Sequence, residues 1–106
     1  MSEKIIFTTT DPEGRVIHLH EKSWDHIRID HPEVTKIQGL KAIIQKPDFI
    51  TEVSARTSLV YSKISSISLY FNVYAKMDDT YKEGRVSSAF ITRKSPRGDV
   101  IWYQKT

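Results

Sequence analysis

Cysteine is missing from all 106 residues. Its absence excludes disulfides, thiolate metal sites and a cysteine nucleophile together. Glycine and proline number four each, too few for a collagenous or low-complexity segment. No glycine-rich phosphate loop, nucleophile elbow or dinucleotide fingerprint occurs. No apolar run approaches the roughly 18 residues that a membrane helix needs. The start, Met1-Ser2-Glu3-Lys4-Ile5, lacks the apolar core of a signal peptide, so a cytoplasmic location is expected. What is present suits one small soluble domain over residues 1–106: 39% hydrophobic and 10% aromatic residues can build a modest core.

The charge is unevenly placed. Residues 1–75 hold nine basic and nine acidic side chains, which cancel. Residues 76–106 hold seven basic ones (Lys76, Lys82, Arg85, Arg93, Lys94, Arg97 and Lys105) against Asp78, Asp79, Glu83 and Asp99. The net charge of +3 therefore lies in the C-terminal third. A basic end on a small domain suits a polyanion such as RNA, and ordinary surface lysines would give the same sum.

Lys4-Ile5-Ile6-Phe7-Thr8-Thr9 reads as a strand, Asp11-Pro12-Glu13-Gly14 as a turn, and residues 15–19 as the returning strand of an N-terminal hairpin. Glu21–Asp30 reads as a helix with Trp24 and Ile27 inward. Pro32 ends it and suits the first turn of a second helix, whose Val34, Ile37, Leu40, Ile43 and Ile44 recur at helical spacing. Four strands are then expected, over 50–55, 59–64, 68–76 and 84–93. In the third, Leu69, Phe71, Val73 and Ala75 alternate with Ser68, Tyr70, Asn72 and Tyr74, so one face is core. A turn at Ser95-Pro96-Arg97-Gly98-Asp99 precedes Val100-Ile101-Trp102-Tyr103. The expected class is α+β: a hairpin and two helices packed on a four-stranded antiparallel sheet.

Four histidines, His18, His20, His26 and His31, could titrate near neutral pH. His18 and His20 share a face of an extended segment, but no cysteine or carboxylate–histidine motif makes them a metal site, and no metal is expected. His26 borders the apolar face of its helix, where a histidine more often bonds backbone than substrate. Ser87 to Lys94 brings hydroxyls and two adjacent cations to a strand end that could grip a phosphate. Thr92 and Arg93 point to opposite faces there, so they cannot share a site without a bulge. Tyr61, Tyr70, Tyr74, Tyr81, Trp102 and Tyr103 could stack bases or simply pack.

Ser23-Trp24-Asp25-His26-Ile27-Arg28-Ile29-Asp30-His31-Pro32-Glu33 has the form W-x-H-I-x-x-x-H-P-E. Lys46-Pro47-Asp48-Phe49-Ile50, Arg56, Leu59-Val60-Tyr61-Ser62-Lys63 and Ala89-Phe90-Ile91-Thr92-Arg93-Lys94 follow in order. This order, over residues 15–103, resembles the phage-associated nuclease-like domains grouped with the barnase, EndoU, colicin and RelE nucleases. The resemblance implies a metal-independent, cofactor-free endoribonuclease, toxin-like or phage-linked, with RNA as substrate and an antitoxin or immunity protein as partner. It places the catalytic set at His26, Arg56 and Thr92, with Arg93 and Lys94 nearby. The family's small Thr-Ala step is Ser87-Ser88-Ala89 here, so Ser88 or Thr92 takes the hydroxyl position. In the implied reaction the RNA 2′-hydroxyl attacks the adjacent phosphate. His26 serves as base or acid, and Arg56 with Arg93 or Lys94 stabilises the phosphorane. Tyr61 or Thr92 orients the phosphate, and His31 is either a second acid–base group or a helix cap. Lys63 completes the substrate-binding set. Two other classes fit the same residues: a catalytically silent nucleic-acid- or protein-binding module, and an interaction protein with structural histidines.

Overall fold

The computed structural model describes residues 4–66 and 68–105; the Met1-Ser2-Glu3 start read for a signal peptide lies outside them. The chain runs β1 (Ile5–Thr10), β2 (Val16–His20), α1 (Glu21–Asp30), α2 (Ile37–Gln45), β3 (Phe49–Val53), β4 (Ser58–Ser66), β5 (Leu69–Met77), β6 (Glu83–Thr92) and β7 (Asp99–Tyr103). The class is α+β, but the expected four-stranded antiparallel sheet is incorrect. All seven strands form one mixed sheet, ordered β1-β2-β6-β5-β4-β3-β7.

Two pairings account for the correction. The hairpin does not stand apart from the sheet, because β2 pairs in parallel with the start of β6, Val16 to His18 lying beside Glu83 to Arg85. At the far edge, β7 pairs antiparallel with β3. Both join segments distant in sequence, which local patterning does not reveal. Between them, β3, β4, β5 and β6 run as consecutive antiparallel neighbours.

The helices cover one face. Leu40, Ile43 and Ile44 of α2 and Ile27 of α1 are buried against Phe7, Ile17, Leu19, Leu59, Val73, Ala75, Val86 and Ala89. Pro32 does not open α2, which begins at Ile37. It occupies a β-turn closed by the Val34 N–H donating to the His31 carbonyl at 2.9 Å, where its fixed φ suits the second turn position.

The hairpin turn is held from inside. Asp11 Oδ1 accepts the backbone N–H groups of Glu13 and Arg15 at 2.8 and 2.9 Å. Asp11 Oδ2 accepts Arg15 Nη1 at 2.9 Å and the Tyr61 hydroxyl at 2.7 Å. The Asp11 side chain is 0% exposed, so these four bonds replace its water shell. Burial works against the Arg15 charge, yet hydrogen bonds and charge from Asp11 and Glu13 prevail and raise its pKa.

Among the described residues, the opposite face carries no α-helix. Residues 93–98 link β6 to β7, four strands away in the sheet, and Lys94, Ser95, Pro96 and Arg97 line a groove on this face, so the segment crosses it as a strap. Gly98 seats its end at φ +140°, where an added Cβ would lie 2.2 Å from the Glu52 carbonyl oxygen. Only glycine takes this backbone and this approach without strain.

Candidate functional site

The face under the strap is built by strand alternation. Ser58, Val60 and Ser62 of β4 stand beside Lys76, Tyr74 and Asn72 of β5. Tyr74 and Asn72 stand in turn beside Ser88 and Phe90 of β6. A register shift between Tyr74 and Ala75 lets Val86 and Ala89 both face the core while Ser88, Phe90 and Thr92 face the strap. The extra residue, Ser87, donates its hydroxyl to the Tyr74 carbonyl at 3.3 Å. Such bulges re-aim side chains on a strand.

Two adjoining grooves result. One, of about 510 Å³, is lined by Arg56, Ser58, Tyr74, Lys76, Ser87, Ser88 and Phe90. The other, of about 450 Å³, shares Arg56, Ser58, Tyr74 and Phe90 and continues to Asn72, Thr92, Lys94 and Arg97. Four cations line the pair, and no carboxylate does. Arg56 ends a short 3₁₀ turn, followed by Thr57 in the left-handed region at φ 52°. The Arg56 carbonyl accepts the Ser58 hydroxyl at 3.2 Å and a close hydrogen bond from Lys76 Nζ. That second bond keeps the Lys76 ammonium beside Arg56. Burial pushes the Tyr74 phenol above its ordinary pKa, and the Arg56 charge pulls against that rise. Tyr74 therefore stays a neutral donor at pH 7.

Aromatic rings form the wall toward α1. Phe90 stacks on Tyr74 with centroids 5.4 Å apart and planes at 19°. The His31 ring centroid lies 5.1 Å from that of Phe90, with the planes tilted 32°. His31 Nδ1 is 3.7 Å from Glu33 Oε2, and Glu33 Oε2 accepts the Ile91 N–H at 3.4 Å. The residues after α1 thus cover the part of β6 beyond its pairing with β2.

The structure divides the residues singled out in the sequence. Arg56, Ser88, Thr92 and Lys94 line the grooves, and His31 reaches them through Phe90. His26 lies in a neighbouring pocket with Lys22, Ser23, Arg85 and Val86. That pocket shares Lys76 and Ser87 with the Arg56 groove, so the two adjoin without His26 and Arg56 lining one cavity. Arg93, the first residue past β6, is exposed and lines neither groove. Tyr61 and Lys63 are on the other face of β4. Tyr61 is 0% exposed, with its hydroxyl on Asp11. Burial first, then the Asp11 hydrogen bond and charge, raise its pKa far above the ordinary value. Lys63 Nζ donates to the Lys46 carbonyl and to Asp48 Oδ1, both at 3.4 Å. Those two residues hold the fold, because an aromatic or a lysine on β4 faces the core side at odd positions.

Sequence reasoning left Asn72, Phe90, Lys76 and Arg97 outside the site. The signal for Asn72 was the alternation along β5, which already put it on the face away from the core. Arg97 needed the strap's path, which depends on the distant β3–β7 pairing. His18, the metal candidate, bonds Thr8 Oγ1 through Nδ1 at 2.8 Å and Glu83 closely through Nε2. Among the described residues no group of three or more His, Asp or Glu is placed to hold a metal ion, and no helix is long and apolar enough to cross a membrane. No protein-family model, curated protein or solved structure matches the chain.

Proposed function

We propose that the strap-covered face binds single-stranded RNA and cleaves it through attack of a 2′-hydroxyl on the adjacent phosphate. One observation carries this reading: Arg56, Lys76, Lys94 and Arg97 converge on grooves without a carboxylate, beside hydroxyls and the Tyr74 and Phe90 rings. Cations, Ser88 and Thr92 suit the phosphate backbone, and the rings suit unpaired bases. Arg56 and Lys94 would stabilise charge on the phosphorane oxygens. His26, one pocket away across Lys76 and Ser87, would exchange the proton with the 2′-oxygen or the leaving 5′-oxygen. The barnase, EndoU, colicin and RelE resemblance points to the same chemistry.

A second reading is a binding module on this scaffold that does not cut. The separation of His26 from the Arg56 groove favours it. Purified protein incubated with single-stranded RNA in EDTA, beside Arg56→Ala and His26→Ala, separates the two. Cleavage leaving 2′,3′-cyclic phosphate ends, lost in both variants, supports the nuclease. Binding without cutting, weakened only by Arg56→Ala, supports the silent module. Absence of binding refutes both.

A further inference from the structure

Asn72 lies opposite Phe90 in the register of β5 and β6 and lines the groove beneath the strap. It is 1% exposed. Its Oδ1 accepts the Ser62 hydroxyl at 2.7 Å, while its Nδ2 donor is buried without a partner. Buried amide donors are nearly always paired, because an unmade bond leaves the desolvation cost uncompensated. Asn72 thus brings an unused donor to the lining of the groove. The ring row of Tyr74, Phe90 and His31, none of them fully buried, stands beside it.

We propose that this corner is a nucleobase seat: an unpaired base packs against the ring row at Tyr74, which lines both grooves, and Asn72 Nδ2 donates to an acceptor on the base edge. The proposal rests on the RNA reading above and adds what that site selects. Uracil, guanine and cytosine offer that donor a carbonyl oxygen and adenine its ring nitrogens N1, N3 and N7, so the seat takes any base and rejects a base-free sugar-phosphate. Stacking accepts every base, since each has a π face, and the larger adenine ring offers more overlap than uracil. A preference for a base-bearing over an abasic oligomer that Asn72→Ser reduces therefore reports the amide. A base within a duplex cannot enter, because its faces are stacked and its edge is paired.

The test uses a short 2′-O-methyl oligouridine and an abasic 2′-O-methyl oligomer of the same length, each with a 5′ fluorophore, which bind but offer no 2′-hydroxyl for attack. Each is titrated with the intact protein and followed by fluorescence anisotropy. Oligouridine is expected to bind at least about tenfold more tightly, through one stacked base and one buried hydrogen bond. Tyr74→Leu should weaken oligouridine by about tenfold through lost stacking and leave the abasic oligomer unchanged. Asn72→Ser, with its fold checked by circular dichroism, should weaken oligouridine by about five- to tenfold, the size of one buried hydrogen bond, and leave the abasic oligomer unchanged. Equal binding of the two oligomers by the wild type overturns the seat with no variant needed. Wild-type affinity for oligouridine in Asn72→Ser overturns the Asn72 assignment. Failure of the RNA reading has a different signature: neither oligomer binds, or Arg56→Ala binds both as tightly as wild type.

Discussion

Along β5, Val73, Ala75 and Met77 are buried with the helices, whereas Asn72, Tyr74 and Lys76 line grooves under the strap. A step of one residue separates a packing surface from a basic, hydroxyl-rich one. On the helix side a charge survives only when fully bonded, as Asp11 is by Glu13, Arg15 and Tyr61. On the strap side four cations stand with no carboxylate lining their grooves, an arrangement that leaves them available to an anion. The contrast sets a packing face against a basic one, so under the proposed reading perturbing each face should give opposite signatures.

The largest expected effect is on the helix side. Asp11→Ala should lower unfolding free energy by about 4 kcal/mol in urea titrations, because it strands the Arg15 charge and the Tyr61 hydroxyl. The RNA affinity of the folded fraction should not change. Gly98→Ala tests the join between the two faces. Its Cβ would meet the Glu52 carbonyl oxygen, and the strap must shift at a cost of about 2 kcal/mol. RNA binding should weaken with it, because the strap carries Lys94 and Arg97.

Arg56→Ala belongs to the strap side alone. It should weaken RNA binding by about tenfold while holding urea stability within about 0.5 kcal/mol of wild type. The smallest effect is a pH slope. Tyr61 is held neutral, with its pKa raised above the ordinary value of 10.0 by burial and by Asp11. Its contribution is complete below pH 10 and is lost as pH rises above that, because the unfolded tyrosine ionises first. Tyr61→Phe should cost about 1 kcal/mol at pH 7 and flatten the alkaline limb of the stability profile.

The strands and helices were legible because their cues are local. The alternation of β5, the helical spacing of Leu40, Ile43 and Ile44, and the Asp11-Pro12-Glu13-Gly14 turn each lie within a few residues. The joins were not legible. Pairing of Val16–His18 with Glu83–Arg85 spans most of the chain, and β7 finds β3 only after the strap crosses the sheet. The site was readable to the same degree. Ser88 and Thr92 meet in the grooves because they alternate outward on β6, and Arg56 joins them from the 3₁₀ turn and Lys94 from the strap. Tyr61 and Lys63 were drawn to the site by motif alone, and strand parity places both on the packing side. His26 was placed with Arg56 by chemistry, but α1 sets it one pocket away.

The most direct test of the contrast between the faces is the salt dependence of single-stranded RNA binding, measured by anisotropy in increasing KCl. Phosphate contacts release counterions, so log K should fall linearly with log salt, by about 0.7 per contacted phosphate. A strap-side interface of four cations predicts a slope of roughly −2 to −3. Arg56→Ala should reduce its magnitude by about 0.7, and Lys63→Ala, on the helix side, should leave it unchanged. An affinity insensitive to salt, or a slope altered by Lys63 and not by Arg56, would contradict the account.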